Sequence, residues 1–131
     1  SGATGSAVSE LRSILNELIE LSAVFPLHFN PLFSLSKLLF ELKAYAECQT
    51  MAFESIRRFG PNDGPYFQIA ASYEKQGDLR SASRYYKKAL NISGREDTIR
   101  GLRRVKAELK ESRWSYRGIL RSHLRRVGLL Q

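Results

Sequence analysis

Two histidines, one cysteine and a dense set of arginines are the side chains through which this 131-residue chain could do chemistry. His28 and His123 fall on different predicted elements, and no third residue stands ready to orient either as a general base. His28 lies between Pro26 and Asn30, so an exposed turn histidine is expected there. Two histidines and a lone cysteine do not form a spaced set of metal ligands. The nine glycines are dispersed, mostly at turns, and build no phosphate-cradling loop. No catalytic constellation emerges, so neither enzyme activity nor a cofactor is expected.

The arginines form a different kind of signal. Residues 1–94 carry ten Lys/Arg against nine Asp/Glu, and residues 95–131 carry eleven against four, so the net charge of +8 belongs mainly to the last quarter. Arg113, Arg117, Arg121 and Arg125 recur every four residues, a stripe that drifts slowly round a helix. Arginine forks match carboxylate and phosphate geometry, which makes acidic protein, RNA and anionic membrane surfaces physically reasonable partners. Aromatics able to stack on bases are sparse in that region, namely Trp114 and Tyr116. A solvated face of a terminal helix is the plainer expectation.

Helices must position these side chains, because no segment alternates with period two. Apolar spacing predicts helices over residues 8–25, 31–42, 45–59, 65–75 and 79–91. A further helical pattern runs through Leu102, Val105, Leu109, Tyr116, Leu120, Leu124 and Val127. Helix-stop residues recur at one interval: Pro26, Gly60, Gly94 and Gly128 stand 34 residues apart. That interval predicts a turn near residues 110–112, with Ser112 as an N-cap and two helices rather than one across residues 97–127. Residues 1–7 lack periodicity and are set aside as a disordered, non-native remnant. The absence of an opening Met suggests a piece of a larger protein. No stretch is long and apolar enough for a membrane span, and the single cysteine cannot close an internal disulfide. A reducing, intracellular setting, by default the cytoplasm, is therefore expected.

Residues Tyr66, Ile69, Ala70 and Tyr73, continuing to Ala82, Tyr86 and Ala89, resemble a tetratricopeptide repeat. Shifting back by 34 gives a weaker copy, with Leu32, Leu35, Ser36 and Leu39 followed by Cys48, Ala52 and Ser55. A second shift back aligns Ile14, Leu18 and Leu21 with the second half of a repeat. The forward shift is degenerate: Arg103, Arg104 and Ala107 stand where apolar, small and aromatic residues are expected, and Tyr116 replaces a small alanine. The resemblance implies an all-α, right-handed α-α superhelix of about seven helices. Its units would be a half-repeat at 8–28 and repeats at 29–62, 63–96 and 97–130. It also places Cys48 at a small-residue packing position, where a buried, unreactive thiol is expected.

Within such a family the first helix of each repeat lines a concave groove that holds a peptide or helix of a partner. By that resemblance the groove candidates are Asn30, Phe33, Lys37, Phe40, Phe67, Ala71, Lys75, Arg100 and Arg104. Aromatics beside cations suit a partner with apolar anchors and acidic groups; ordinary core packing of the phenylalanines is the competing expectation. Some family members grip a C-terminal carboxylate with polar residues on successive first helices. Phe67 and Ala71 stand where those would be needed, which disfavours that activity. The expected function is a non-catalytic scaffold or adaptor region. Nucleic-acid or polyanion binding through the Arg-rich helix, and an accessory domain of a larger enzyme, are the alternatives. Leu120, Leu124 and Val127, with Leu129 and Leu130, would suit docking of a following repeat or self-association.

Overall fold

The computed structural model describes residues 2–24 and 30–129. Every regular element among them is a helix: α1 Gly2–Val24, α2 Pro31–Glu41, α3 Tyr45–Phe59, α4 Asp63–Lys75, α5 Leu79–Ile92 and α6 Glu96–Arg126. Each helix packs on the next in the chain. In addition α2 touches α4 and α4 touches α6, whereas α3 and α5 do not meet at the backbone level.

Local chemistry explains most boundaries. The Asn30 side chain accepts a hydrogen bond from the Phe33 amide at 3.1 Å, and Pro31 follows at the first helical position, where its missing N–H costs nothing. Asn62 and Asp78 cap α4 and α5 in the same way, accepting from Gly64 N at 3.3 Å and Ser81 N at 3.1 Å. Gly60 ends α3 with φ 89°, a left-handed conformation that a side chain would disfavour. Gly94 behaves differently. It has no positive φ, and α5 ends because Ser93 turns extended at φ −148° and ψ 131°.

Three sequence expectations change. Helix α1 begins at Gly2, not near Val8, so residues 2–7 continue a helix instead of forming a disordered lead. Once a helix is nucleated, each added residue contributes one hydrogen bond, so extension needs no periodic apolar face. The turn expected near residues 110–112 is absent: α6 is one helix of 31 residues. Nothing between Glu108 and Ser115 breaks a helix, and Lys110 and Glu111 are good helix formers. The described residues therefore contain six helices where about seven were expected. The stop at Pro26 and the turn at His28 lie outside the described residues.

Leu35 and Ile69, Ser36 and Ala70, Cys48 and Ala82, Ala52 and Tyr86, and Ser55 and Ala89 are pairs 34 residues apart, and all ten are buried. Beyond α5 the register is mixed. Gly64 and Ala71 are matched 34 positions later by Thr98 and Val105, and Ile69 is matched 33 positions later by Leu102, all buried, whereas Arg103 and Arg104, 34 positions after the buried Ile69 and Ala70, are exposed. One apolar core gathers Ala70, Ala82, Tyr86, Leu102 and Val105, with Phe67, Tyr73 and Leu109 against them. A second, N-terminal core joins Leu32, Leu35, Leu39, Ala44 and Cys48 with Leu11 and Met51. Removing Ile69, fully buried, would cost about 2–5 kcal/mol through lost transfer energy and the cavity left behind.

Candidate functional site

The groove candidates divide into side chains used by the fold and side chains left free. Asn30 is consumed by capping and by donation from Nδ2 to Ser55 Oγ at 2.6 Å. Phe33 is half-buried and its ring lies over Gly64; a Cβ there would come within 2.6 Å of the ring tip. Lys37 is exposed, with its ammonium 5.0 Å from the centre of the Phe33 ring. Phe40 packs against the Leu39, Ala44 and Cys48 cluster and meets Tyr45 edge-on at 5.5 Å. Phe67 meets Tyr86 edge-on at 5.7 Å and carries the Arg95 guanidinium at 6.0 Å. Ala71 is buried, and Lys75 and Arg100 are exposed.

Arg104 is not free to serve a partner. It forks onto Glu74 of α4, with one guanidinium nitrogen 2.8 Å from Oε1, and the Tyr86 hydroxyl donates to the same oxygen at 2.7 Å. This three-residue network ties α4, α5 and α6 together. Burial works to raise the Glu74 pKa, but the donors Arg104 and Tyr86 outweigh it, and the carboxyl is held below its ordinary value. Burial first, then donation to Glu74, pushes the Tyr86 phenol up. Gly101 makes the approach possible, since a Cβ there would lie 2.6 Å from two Tyr86 ring carbons.

The remaining candidates for reactive chemistry are used by the fold or stand alone in solvent. His123 stands exposed on α6. Cys48 is fully buried, accepts a hydrogen bond from Ser72 Oγ at 3.2 Å, and has its thiol pKa pushed up by burial. That is the opposite of an activated nucleophile.

The basic surface is more than a stripe. Arg113, Arg117, Arg121 and Arg125 are all exposed on the second half of α6. Two of them belong to a groove of about 730 Å³ where α5 meets α6, lined by Arg80 and Ser83 of α5 and by Leu109, Ser112, Arg113, Tyr116 and Arg117 of α6. The groove continues to Lys87, Lys106, Lys110 and Trp114. These linings contain six cations and no carboxylate, and none of the six enters an ion pair among the described residues. Further along, the next hollow is lined by α6 alone, from Ser115 to Arg126, so the helix projects past the bundle.

Comparison with protein-family models, curated proteins and solved structures finds no match for this chain.

Two features escaped the sequence reading. The α5 wall of the basic groove was missed because a turn placed near residues 110–112 detaches Arg113 from α5. The spacing of Arg80, Ser83 and Lys87 on one face of α5 was the available signal. An aromatic stack was also missed: Tyr85 lies against Tyr73 at 5.7 Å and Tyr66 at 6.2 Å, with Phe53 edge-on at 5.5 Å. Lys88 and Arg84 sit over the Tyr85 ring at 5.1 and 5.5 Å. This stack joins α3 to α5 by side chains where their backbones stand apart.

Proposed function

We propose that the chain is a non-catalytic protein-interaction module of the tandem helical-hairpin type, similar to tetratricopeptide repeats, that holds a peptide or helix of a partner on its α2–α4–α6 face. The carrying observation is the recurrence of buried small and apolar residues at 34-residue spacing through α2–α3 and α4–α5. The packing order supports the same reading. First helices approach one another, α2 to α4 and α4 to α6, while α3 and α5 stay apart, which favours curvature toward the α2–α4–α6 side.

On that face the half-buried Phe33 and Phe67 offer ring surface, each with a cation above it, and Lys37, Lys75 and Arg100 offer unpaired charge among the described residues. A partner segment with apolar anchors and acidic flanks complements this set. Arg104 and Glu74 form the floor of the face and hold its helices in place. No helix among the described residues is long and apolar enough to cross a membrane.

The test is charge reversal at Lys37, Lys75 and Arg100 together, with affinity for an acidic-hydrophobic peptide read by fluorescence anisotropy. These side chains are exposed, so the fold should persist and affinity should drop by about tenfold or more. Unchanged affinity in the folded triple variant would remove the α2–α4–α6 face as the binding surface.

A further inference from the structure

We propose that the groove between α5 and α6, continued along the projecting part of α6, is a second docking site that takes an acidic amphipathic helix of a partner protein. Three observations converge on it. The first is charge: the two overlapping groove linings hold six cations and no acid. Uncompensated charge at that density selects an anionic occupant.

The second is an apolar seam. With about 3.6 residues per turn, the core-facing stripe of α6 through Leu102, Val105 and Leu109 continues in register through Tyr116, Leu120 and Val127. The first half of that stripe is covered by the bundle, whereas Tyr116 is 69% exposed, Leu120 44% and Val127 54%. Arg113 and Arg117 flank the seam on one side. A bare polyanion would satisfy the arginines and leave the seam in water. An amphipathic helix with leucines in its stripe and glutamates beside it satisfies both.

The third is shape. Arg80, Ser83 and Lys87 wall the groove on the α5 side and leave Leu109 on its floor. A helix enters such a trough along its length, which is the helix-in-groove mode of recognition. A flat bilayer surface does not reach the floor. Trp114 and Tyr116, two positions apart, fall on nearly opposite sides of α6 and cannot stack on successive bases of one strand.

The protein supplies its own probe, because Trp114 is the only tryptophan, lines the groove and is 61% exposed. The experiment titrates the chain with a synthetic helical peptide of about 18 residues, bearing leucines at i, i+3, i+4 and i+7 and glutamates on one flank. Parallel titrations use a scrambled peptide of the same composition, single-stranded RNA and phosphatidylserine vesicles. The expected result is saturable binding with a blue shift of Trp114 emission. The scramble and the Arg113→Glu/Arg117→Glu variant should each bind at least about tenfold more weakly. Lys37→Glu, on the α2–α4–α6 face, should leave this binding unchanged while it weakens capture there, which separates the two sites. Should the α6 variant misfold, Arg80→Glu/Lys87→Glu on the α5 wall makes the same test. Equal binding of peptide and scramble, tighter binding of RNA or vesicles, or binding that survives charge reversal on both walls would overturn the proposal.

Discussion

Gly101 and Gly118 lie in the same helix, yet alanine at the two positions should move stability in opposite directions. At Gly101 an added Cβ would sit 2.6 Å from Cε1 and Cζ of Tyr86 and 3.0 Å from its hydroxyl oxygen. Ordinary carbon contacts are about 3.5–4.0 Å, so the ring or the helix must yield by about 1 Å. The ring cannot yield cheaply. Tyr86 is fully buried, meets Phe67 edge-on and donates to Glu74 at 2.7 Å. Overpacking of this kind costs about 1–3 kcal/mol, and a loosened Tyr86–Glu74 bond adds about 1 kcal/mol. Alanine returns about 1 kcal/mol of helix propensity. The net expectation for Gly101→Ala is a loss of about 1–3 kcal/mol, or roughly 4 °C in Tm per kcal/mol for a chain of this size. At Gly118 nothing lies within 4 Å, so only the propensity gain of about 1 kcal/mol remains. Circular dichroism melts of the two variants, with far-UV helicity recorded before melting, decide the matter. A Gly101→Ala variant as stable as the parent would refute the close α5–α6 contact. A Gly118→Ala variant with reduced helicity would refute a continuous α6.

Further expectations follow from the polar contacts. Glu74→Gln leaves Arg104 without its carboxylate partner and should destabilise by about 1–3 kcal/mol, measured by urea denaturation; Arg12→Gln, at an exposed pair with Glu47, should change stability by well under 1 kcal/mol. Acid should weaken the fold. Hydrogen bonds from Arg57 and Arg58 hold the Glu54 carboxyl at about 2 against an ordinary 4.5, and Glu74 is lowered too. A carboxylate with a lowered folded pKa contributes stability above its unfolded value and loses it as pH falls toward the folded one. Stability should therefore decline from about pH 4.5 downward, and Glu54→Gln should flatten part of that slope; a pH-independent midpoint through this range would contradict it. Cys48 should resist a disulfide thiol reagent in the native protein and react fully once denaturant is added, because access requires opening of the α2–α3–α4 packing.

What was legible in the chain was mostly local. Asn30, Gly60, Asn62 and Asp78 act on their own turns, so α2 to α5 lie close to where residue types place them. Burial at Ile69, Ala70, Ala82, Tyr86 and Ala89 was legible because small and apolar side chains recur there at helical spacing. The C-terminal third was not, for one reason. A period carried forward from two regular units predicts a turn and a 34-residue register, but a helix ends only where a residue ends it. Lys110, Glu111 and Ser112 do not, so α6 runs unbroken from Glu96 to Arg126. The pairing of Arg104 is not legible locally, since its partner Glu74 stands thirty positions earlier on another helix. The basic groove needs both α5 and an unbroken α6, and periodicity alone does not reveal it.

Backbone amide chemical-shift mapping with an acidic-hydrophobic peptide reports whether a partner segment docks on the α2–α4–α6 face. Saturable shifts are expected, centred on Phe33, Lys37, Phe67 and Arg100 and lost when Lys37, Lys75 and Arg100 are reversed together. Saturable shifts confined to residues off that face, whether on α3 or in the α5–α6 groove, or no shifts at all, would exclude this binding surface.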